Sequence, residues 1–145
     1  MHTVRQILEA KGGQVWSVHP HASVYDALQI MANKEIGALL VMDGGDVRGV
    51  LSERDYARKV ILTGRSSKDT CVADIMSEEV LVTSFEQNIA DCMALMTDKK
   101  IRHLPVLDGG RVAGIISIGD LVKAIIAEQE FVIEQLENYI GGVTA

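Results

Sequence analysis

The 145-residue sequence predicts an α/β fold made of two similar units. Three observations support this prediction. Residues 24–61 align with residues 89–126 without a gap, 14 of the 38 aligned pairs are identical, and each copy alternates helical with strand-like apolar patterns. Unrelated sequences of ordinary composition would share about two or three such pairs. We therefore interpret the chain as an internal duplication.

Each repeat is expected to run strand, helix, strand, strand, helix. Apolar residues spaced as on one face of a helix predict helices over residues 23–34 and 88–99. Two short apolar runs then flank Asp-Gly-Gly at 43–45 and again at 108–110, which is a strong signal for a hairpin. Because neither repeat looks large enough to fold well alone, we expect the two to pack about a pseudo-twofold axis.

The repeat pattern divides the chain into three parts. We assign repeat one to residues 1–66, repeat two to residues 67–127 and a C-terminal extension to residues 128–145. Upstream of the repeats, Val4–Leu8 resembles Val72–Met76, with three more residues before the first helix of repeat one. This insertion falls in a glycine-containing loop.

The last helix is predicted to outlast its repeat. A helical pattern continues from Ile118 to Ile140, and Gly141–Gly142 is the predicted stop. Its broken apolar stripe comprises Leu121, Ile125, Val132, Leu136 and Ile140. The extra length can pack on the module itself or against the same helix of a second chain, and we favour a homodimer.

Composition indicates a globular, cytoplasmic protein. The chain is 48% apolar and 23% charged, and its longest apolar run, residues 36–42, is too short to span a bilayer. We expect no membrane partner, and the first residues lack the pattern of a secretory signal. A net charge of −6 argues against nucleic acid as a partner. The two cysteines lack metal-type spacing, so we predict free thiols and no metal site.

One stretch of this acidic chain is basic. Between residues 52 and 68 two carboxylates face five cations, which are Arg54, Arg58, Lys59, Arg65 and Lys68. Such a cluster is either a solvated face or a surface that suits a small phosphorylated ligand.

The same short motif ends the hairpin in each repeat. Residues 49–55 read GVLSERD and residues 114–120 read GIISIGD. A Ser-x-x-Asp sequence before a helical pattern predicts a capped helix start. A hydroxyl and a carboxylate at a helix N-terminus, beside a glycine, are also suited to hold a phosphate and a ribose.

These residues carry a resemblance to a known family. Two β-α-β-β-α units, with IRHLPVLD at 101–108 and GIISIGD at 114–120, resemble a tandem pair of CBS (cystathionine β-synthase) domains, known as a Bateman module. Residues 52–70 are similar to stand-alone bacterial CBS-pair proteins rather than to modules fused to an enzyme. The resemblance implies regulatory binding of an adenosyl ligand such as AMP, ADP, ATP or NAD.

The resemblance also implies site residues. The aspartates that close the two motifs, Asp55 and Asp120, are expected to bind ribose hydroxyls, since a carboxylate can accept hydrogen bonds from both. The serines three residues earlier, Ser52 and Ser117, are expected to contact phosphate. Because the sites of the family lie between repeats, each ligand is expected to touch both halves.

Other residues are assigned to the two sites by the same resemblance. For the Asp120 site we expect apolar and backbone contacts to adenine from Trp16, Ile36, Gly37 and Ala38. For the Asp55 site we expect contacts from Leu81, Val82, Ile101, Arg102 and His103, together with Arg54 and Arg58 of its own helix. A phosphate contact is preferred over a purely structural role for His103, which follows Arg102.

The two sites are expected to differ in charge. Arg54 stands inside the first motif, where the second has Gly119. We therefore expect the Asp55 site to hold the ligand with more phosphate charge, a dinucleotide or polyphosphate, and the Asp120 site a monophosphate.

Three classes of function follow. The first, which we favour, is a module that senses adenine nucleotide or NAD(H) and signals to an unknown protein by conformational change. The second is an enzyme, against which stands the lack of a nucleophile and base pair at plausible spacing. The third is a ligand-free homodimeric interaction module in which Ser-x-x-Asp serves only as a cap.

Overall fold

The computed structural model describes residues 3–144 of the chain. It divides the chain into two compact units. Residues 14–81 form one unit, and the described parts of residues 1–13 and 82–145 form the other. We call them the central unit and the terminal unit after their positions in the sequence.

The central unit contains a three-stranded sheet in the order β1-β2-β3. The first pair is parallel and the second is an antiparallel hairpin. A wider π-type turn continues α3, and a short 3₁₀ turn follows later in the chain. In chain order the elements are β1 (Ser17–Val18), α2 (Val24–Lys34), β2 (Ala38–Asp43), β3 (Asp46–Ser52), α3 (Glu53–Tyr56), the π turn Ala57–Ile61 and the 3₁₀ turn Val72–Asp74.

The terminal unit repeats this arrangement, with sheet order β4-β5-β6 and the same parallel and antiparallel pairing. Its elements are α1 (Val4–Lys11), β4 (Thr83–Ser84), α4 (Ile89–Lys99), β5 (His103–Asp108), β6 (Arg111–Ser117) and α5 (Ile118–Thr144). The predicted α/β class and the predicted element order are confirmed in both repeats.

Both predicted amphipathic helices are present and capped. The Ser23 side chain accepts a hydrogen bond from a first-turn amide of α2, and the Asn88 side chain does the same for α4. Glu35 and Lys100 then end the helices in the left-handed conformation, with φ of 55° and 56°. These helix bounds agree with the predicted ranges because local caps mark each end.

Both predicted hairpins turn on a pair of glycines. Gly44 and Gly45 have φ of 62° and 103°, and Gly109 and Gly110 have φ of 58° and 82°. A two-residue turn with positive φ at both positions matches the twist of the flanking strands, and glycine adopts it without strain. The Asp-Gly-Gly signal is therefore confirmed in each repeat.

The two similar upstream segments each pack on the sheet of the other repeat. Leu8 of α1 packs against Gly114 on β6, and Met76 packs against Gly49 on β3. The compact units therefore do not contain the same residues as the sequence repeats, because α1 belongs to the unit that includes residues 82–145. The proposed repeat boundaries, at 66/67 and 127/128, remain a prediction.

The last helix corrects one prediction. It runs through Gly141–Gly142 to Thr144 rather than stopping there. Glycine lowers helix propensity by about 1 kcal/mol but can adopt helical φ and ψ, so its presence alone does not end a helix. Leu121 is fully buried, whereas large apolar side chains farther along the helix are exposed, namely Phe131, Val132, Ile133, Leu136, Tyr139 and Ile140. Within residues 3–144 no helix is long and apolar enough to cross a membrane.

Substituting alanine at the two equivalent strand glycines should have unequal costs. A Cβ at Gly49 would lie 2.7 Å from the backbone oxygen of Ser77, which is held by an isolated backbone bridge to Val50. A Cβ at Gly114 would lie 2.7 Å from a methyl carbon of Leu8, which can rotate away. We expect Gly49→Ala to lower the free energy of unfolding by about 2 kcal/mol and Gly114→Ala by about 1 kcal/mol, measured by urea titration. Equal costs, or a larger cost at Gly114, would contradict this packing.

Candidate functional site

Strand register places each Ser-x-x-Asp motif beside the start of the preceding strand. In the central unit Ser52 pairs with Ala38, and the amide of Glu53 donates to the carbonyl of Gly37 at 3.0 Å. In the terminal unit Ser117 pairs with His103. The corresponding amide of residue 118 donates to the carbonyl of residue 102 at 2.9 Å. Hairpin and helix start therefore form one local structure in each unit.

In the central unit Asp55 is held by its capping serine. Its Oδ2 accepts hydrogen bonds from the Ser52 amide and hydroxyl, both at 3.0 Å, while the Asp55 amide donates to the Ser52 hydroxyl at 3.2 Å. The ammonium of Lys59 lies 3.3 Å from Oδ1 and donates to the carbonyl of Ile75 at 3.0 Å. The predicted capping box is confirmed, and a lysine is added to it.

The terminal unit has the same arrangement with a different lysine. Asp120 Oδ2 accepts from the Ser117 amide at 2.8 Å, and the Asp120 amide donates to the Ser117 hydroxyl at 3.1 Å. Lys11 Nζ donates to Asp120 Oδ2 at 2.7 Å and to the carbonyl of Ile115 at 2.8 Å. Sequence reasoning missed Lys11, which lies 109 positions before Asp120. The position aligned with Lys59 in repeat two is Ala124, so α1 supplies the cation there.

Lys11 is positioned because both ends of α1 are fixed in the terminal unit. The first amides of the helix, from Val4 and Arg5, donate to the carbonyls of residues 87 and 85 at 2.9 and 3.0 Å. After the helix, a Cβ at Gly13 would lie 2.9 Å from the Ala113 carbonyl oxygen, so only glycine lets the chain run this close to β6. Lys11 is the last helical residue and precedes Gly13 by two positions.

The charge state of Asp120 follows from its neighbours. Burial is the largest single influence and disfavours the ionised form, but hydrogen bonds from Lys11 and from the Ser117 backbone outweigh it. The pKa of Asp120 is therefore below its usual value, and the carboxylate is ionised at neutral pH.

His103 lies in the same electrostatic environment. Burial lowers the pKa of this imidazole first, and the positive charges of Lys11 and Arg102 lower it further, while Asp120 acts in the opposite direction. The side chain is therefore mainly neutral at neutral pH, when it can both donate and accept a hydrogen bond.

The predicted site residues of the central unit fall into two environments. Trp16 and Ile36 pack partly buried against the core of the unit, and the Lys34 ammonium lies 4.2 Å from the centre of the Trp16 ring. Arg54 and Arg58 are exposed, and within residues 3–144 neither guanidinium forms an ion pair. Gly37 and Leu81 are half-buried, and Ala38 is buried.

In the terminal unit, Ile101 and His103 are half-buried and Arg102 is exposed. Val82 is exposed and lines a cavity of about 540 Å³ between β4 and α4 that does not include Asp120. The predicted sites combine residues of both units, Asp120 with Trp16 and residues 36–38, and Asp55 with residues 81–82 and 101–103. That pairing stays a prediction.

Among the described residues no group of three or more His, Cys, Asp or Glu side chains is placed to hold a metal ion. Cys92 is buried and Cys71 is exposed, and both are free thiols. The groups gathered at each Ser-x-x-Asp motif instead suit hydroxyl and phosphate ligands.

Comparison with known proteins shows the family. Residues 4–62 and 72–127 each match the CBS domain. The chain therefore belongs to the CBS-domain family and carries a pair of these domains. The predicted resemblance is confirmed.

Several proteins with CBS domains are similar to this chain. A protein with CBS domains from Burkholderia ambifaria is 54% identical, with a TM-score of 0.85 over 88% of this chain and 96% of that one. The mitochondrial CBS domain-containing protein CBSX3 of Arabidopsis thaliana is 38% identical over 97% of this chain and 72% of its own length. The CBS pair of protein MJ0100, crystallised with 5′-methylthioadenosine and S-adenosylmethionine, has a TM-score of 0.77 over 88% and 98% of the two chains. At 22% identity, that similarity shows the fold alone.

The contribution of Asp120 to stability should depend on pH. Because its native pKa lies below the unfolded value, the ionised carboxylate stabilises the fold above the unfolded pKa, and this stabilisation is lost as pH falls through the native pKa. Asp120→Asn should therefore lower the free energy of unfolding by about 1 kcal/mol near pH 7 and by much less near pH 3. Asp98→Asn, at an exposed position, is the control for urea titrations at both pH values. A cost at Asp120 that does not change with pH would contradict the assignment.

Proposed function

We propose that this CBS pair is a regulatory module that binds an adenosine-containing ligand at its Ser-x-x-Asp motifs and carries no catalytic activity. One observation supports this most strongly. In each unit a lysine bridges the motif carboxylate to a backbone carbonyl, although capping requires only the serine and the aspartate. Hydroxyl, carboxylate and ammonium groups thus gather at one point twice in the same chain.

These groups match the polar parts of a nucleotide. An ionised carboxylate has about four acceptor positions, so Asp55 and Asp120 can keep their caps and still accept hydrogen bonds from the two ribose hydroxyls. Their side chains are 18% and 20% exposed, which leaves each one both partly shielded and reachable. The lysine beside each carboxylate provides a donor for phosphate.

The two sites are proposed to prefer different phosphate charge. The exposed guanidiniums of Arg54 and Arg58 lie on the same helical segment as Asp55, which suits a dinucleotide or a polyphosphate. The Asp120 site, with Lys11 and a mainly neutral His103, suits a monophosphate. AMP, ADP, ATP and NAD are the effectors proposed.

Signalling is proposed to follow from differential binding. A ligand that binds one conformation of the protein more tightly shifts its population, and another protein can read the change. The identity of that protein and the cytoplasmic location expected from the sequence remain predictions, as do the absence of nucleic acid and membrane partners.

The second candidate function is a ligand-free homodimeric interaction module. The exposed surface of α5 favours this function. In the single chain, several large apolar side chains between Phe131 and Ile140 are exposed to solvent. A group of exposed apolar side chains is typical of an interaction surface, and a second copy would present the same residues across a twofold axis. A homodimer is part of our proposal in either case, because ligand binding and pairing through α5 use different residues.

Thermal melting with AMP, ADP, ATP, NAD and S-adenosylmethionine tests the ligand-binding function. A ligand at 100 times its Kd adds about 2.7 kcal/mol to the stability of the folded state, and so raises the melting midpoint by several degrees. Asp55→Ala should reduce the shift with ATP or NAD, and Asp120→Ala the shift with AMP.

The controls separate the two candidate functions. Asp98→Ala, an exposed acidic position outside both motifs, should keep every shift seen with the unsubstituted protein. The absence of a shift with any of the five compounds would favour the ligand-free module. Turnover of one of these compounds by the pure protein would instead contradict the proposal that the module has no catalytic activity.

The homodimer is tested by light scattering coupled to size-exclusion chromatography. Leu136→Glu places a charge in the exposed apolar stripe, and we expect it to reduce the measured mass from about twice the chain mass to one chain mass. Asn138→Glu adds the same charge at a neighbouring exposed position on another side of the helix and should remain dimeric. A monomeric unsubstituted protein would refute the homodimer.

A further inference from the structure

We propose that Lys11 makes the Asp120 site selective for the charge of its ligand, so that a nucleoside 5′-phosphate binds there in preference to an adenosyl compound without phosphate. This inference rests on the proposed function and adds to it the residue that sets specificity. It assigns to the first helix of the chain a role in a site whose motif lies more than a hundred residues later.

Lys11 already contacts Oδ2 of Asp120, one of the two carboxylate oxygens that a bidentate ribose contact would use. Its ammonium contacts Asp120 Oδ2, which is also bonded to the Ser117 amide, while Oδ1 accepts no hydrogen bond from residues 3–144. A ribose presents two neighbouring hydroxyls. In a bidentate arrangement each hydroxyl binds one carboxylate oxygen, and the hydroxyl at Oδ2 then competes with Lys11, because Lys11 and the Ser117 amide already occupy that oxygen. Ribose binding therefore weakens the contact between Lys11 and Asp120.

Whether the weakened contact between Lys11 and Asp120 is compensated depends on the group attached to the ribose. A phosphate attached to the ribose offers Lys11 a new anionic partner, and a charge-assisted hydrogen bond replaces the one that was weakened. A ligand without phosphate offers nothing, and a sulfonium group adds a like charge close to Lys11 and Arg102. The cations in this cluster thus favour the phosphorylated ligand.

The fixed position of α1 makes Lys11 an effective selector. The helix is held at its start by two backbone hydrogen bonds and at its end by the close approach of Gly13 to Ala113, so only the lysine side chain needs to move. With 37% of its side chain exposed, Lys11 is free enough to turn towards a phosphate. Breaking a partly exposed ion pair costs little free energy, and a phosphate contact can offset that cost.

In the part of the chain that the structure describes, no distant residue plays this role for Asp55 in the central unit. Lys59 reaches Asp55 from four residues further along the same helical segment, so its contact is local. The aligned position in repeat two is Ala124, and the lysine comes instead from α1. The two carboxylates therefore have the same kind of partner, but only that of Asp120 belongs to a separate element of the chain.

Calorimetric titration in an Asp55→Ala background tests the inference, because this background leaves the Asp120 site to be measured alone. AMP and 5′-methylthioadenosine are the two probes, since both contain adenosine and only AMP carries a phosphate. We expect Lys11→Met to weaken AMP binding about tenfold and to leave 5′-methylthioadenosine binding unchanged or tighter. Lys11→Arg should keep most of the preference for AMP.

The matched control is Lys123→Met, which removes the same charge from an exposed position three residues after Asp120. It should leave the ratio of the two affinities unchanged, and melting curves without ligand should show that all variants are folded. If Lys11→Met leaves the ratio unchanged while both probes bind, the inference is wrong and the proposed function stands. If neither probe binds the Asp55→Ala protein, ligand binding at Asp120 is itself wrong.

Discussion

The structure depends on one close contact made twice, between a glycine in the last strand of each sheet and the segment that precedes the other repeat. Gly114 accommodates Leu8, and Gly49 accommodates Met76 and the Ser77 carbonyl. A side chain on either strand glycine would occupy the space of the incoming segment. Because α1 packs here on β6, its last residue, Lys11, reaches the second motif.

Features set by neighbouring residues could be predicted from the sequence. The hairpins follow from glycine pairs that adopt positive φ, and the motif caps follow from a serine and an aspartate three residues apart. The duplication strengthens both predictions, because the Asp-Gly-Gly and Ser-x-x-Asp signals each occur once in both repeats at the same spacing. The order of elements along the chain, the bounds of α2 and α4, and the positions of Asp55 and Asp120 at helix starts were predictable for these reasons.

Features that depend on distant parts of the chain were not predictable in the same way. Nothing near Lys11 indicates its partner, since the contact joins the last residue of α1 to an aspartate 109 positions later. The only available signal was the insertion itself, a lysine followed by two glycines. The helix end at Gly141–Gly142 was wrong for a different reason, because propensity is a weak guide when a long helix continues past a glycine pair.

The exchange of upstream segments has a consequence for the order in which the chain can fold during synthesis. The central unit is one continuous stretch, so all of its residues are available once residue 81 has been made. Helix α1 is made before the central unit, yet β6, the strand on which it packs, comes about a hundred residues later. Until β6 has been synthesised, the apolar side chains of Val4, Ile7 and Leu8 lack the packing partners that they have in the folded protein. Lys11, the proposed selector of the ligand, is thus made 109 residues before the aspartate that it contacts.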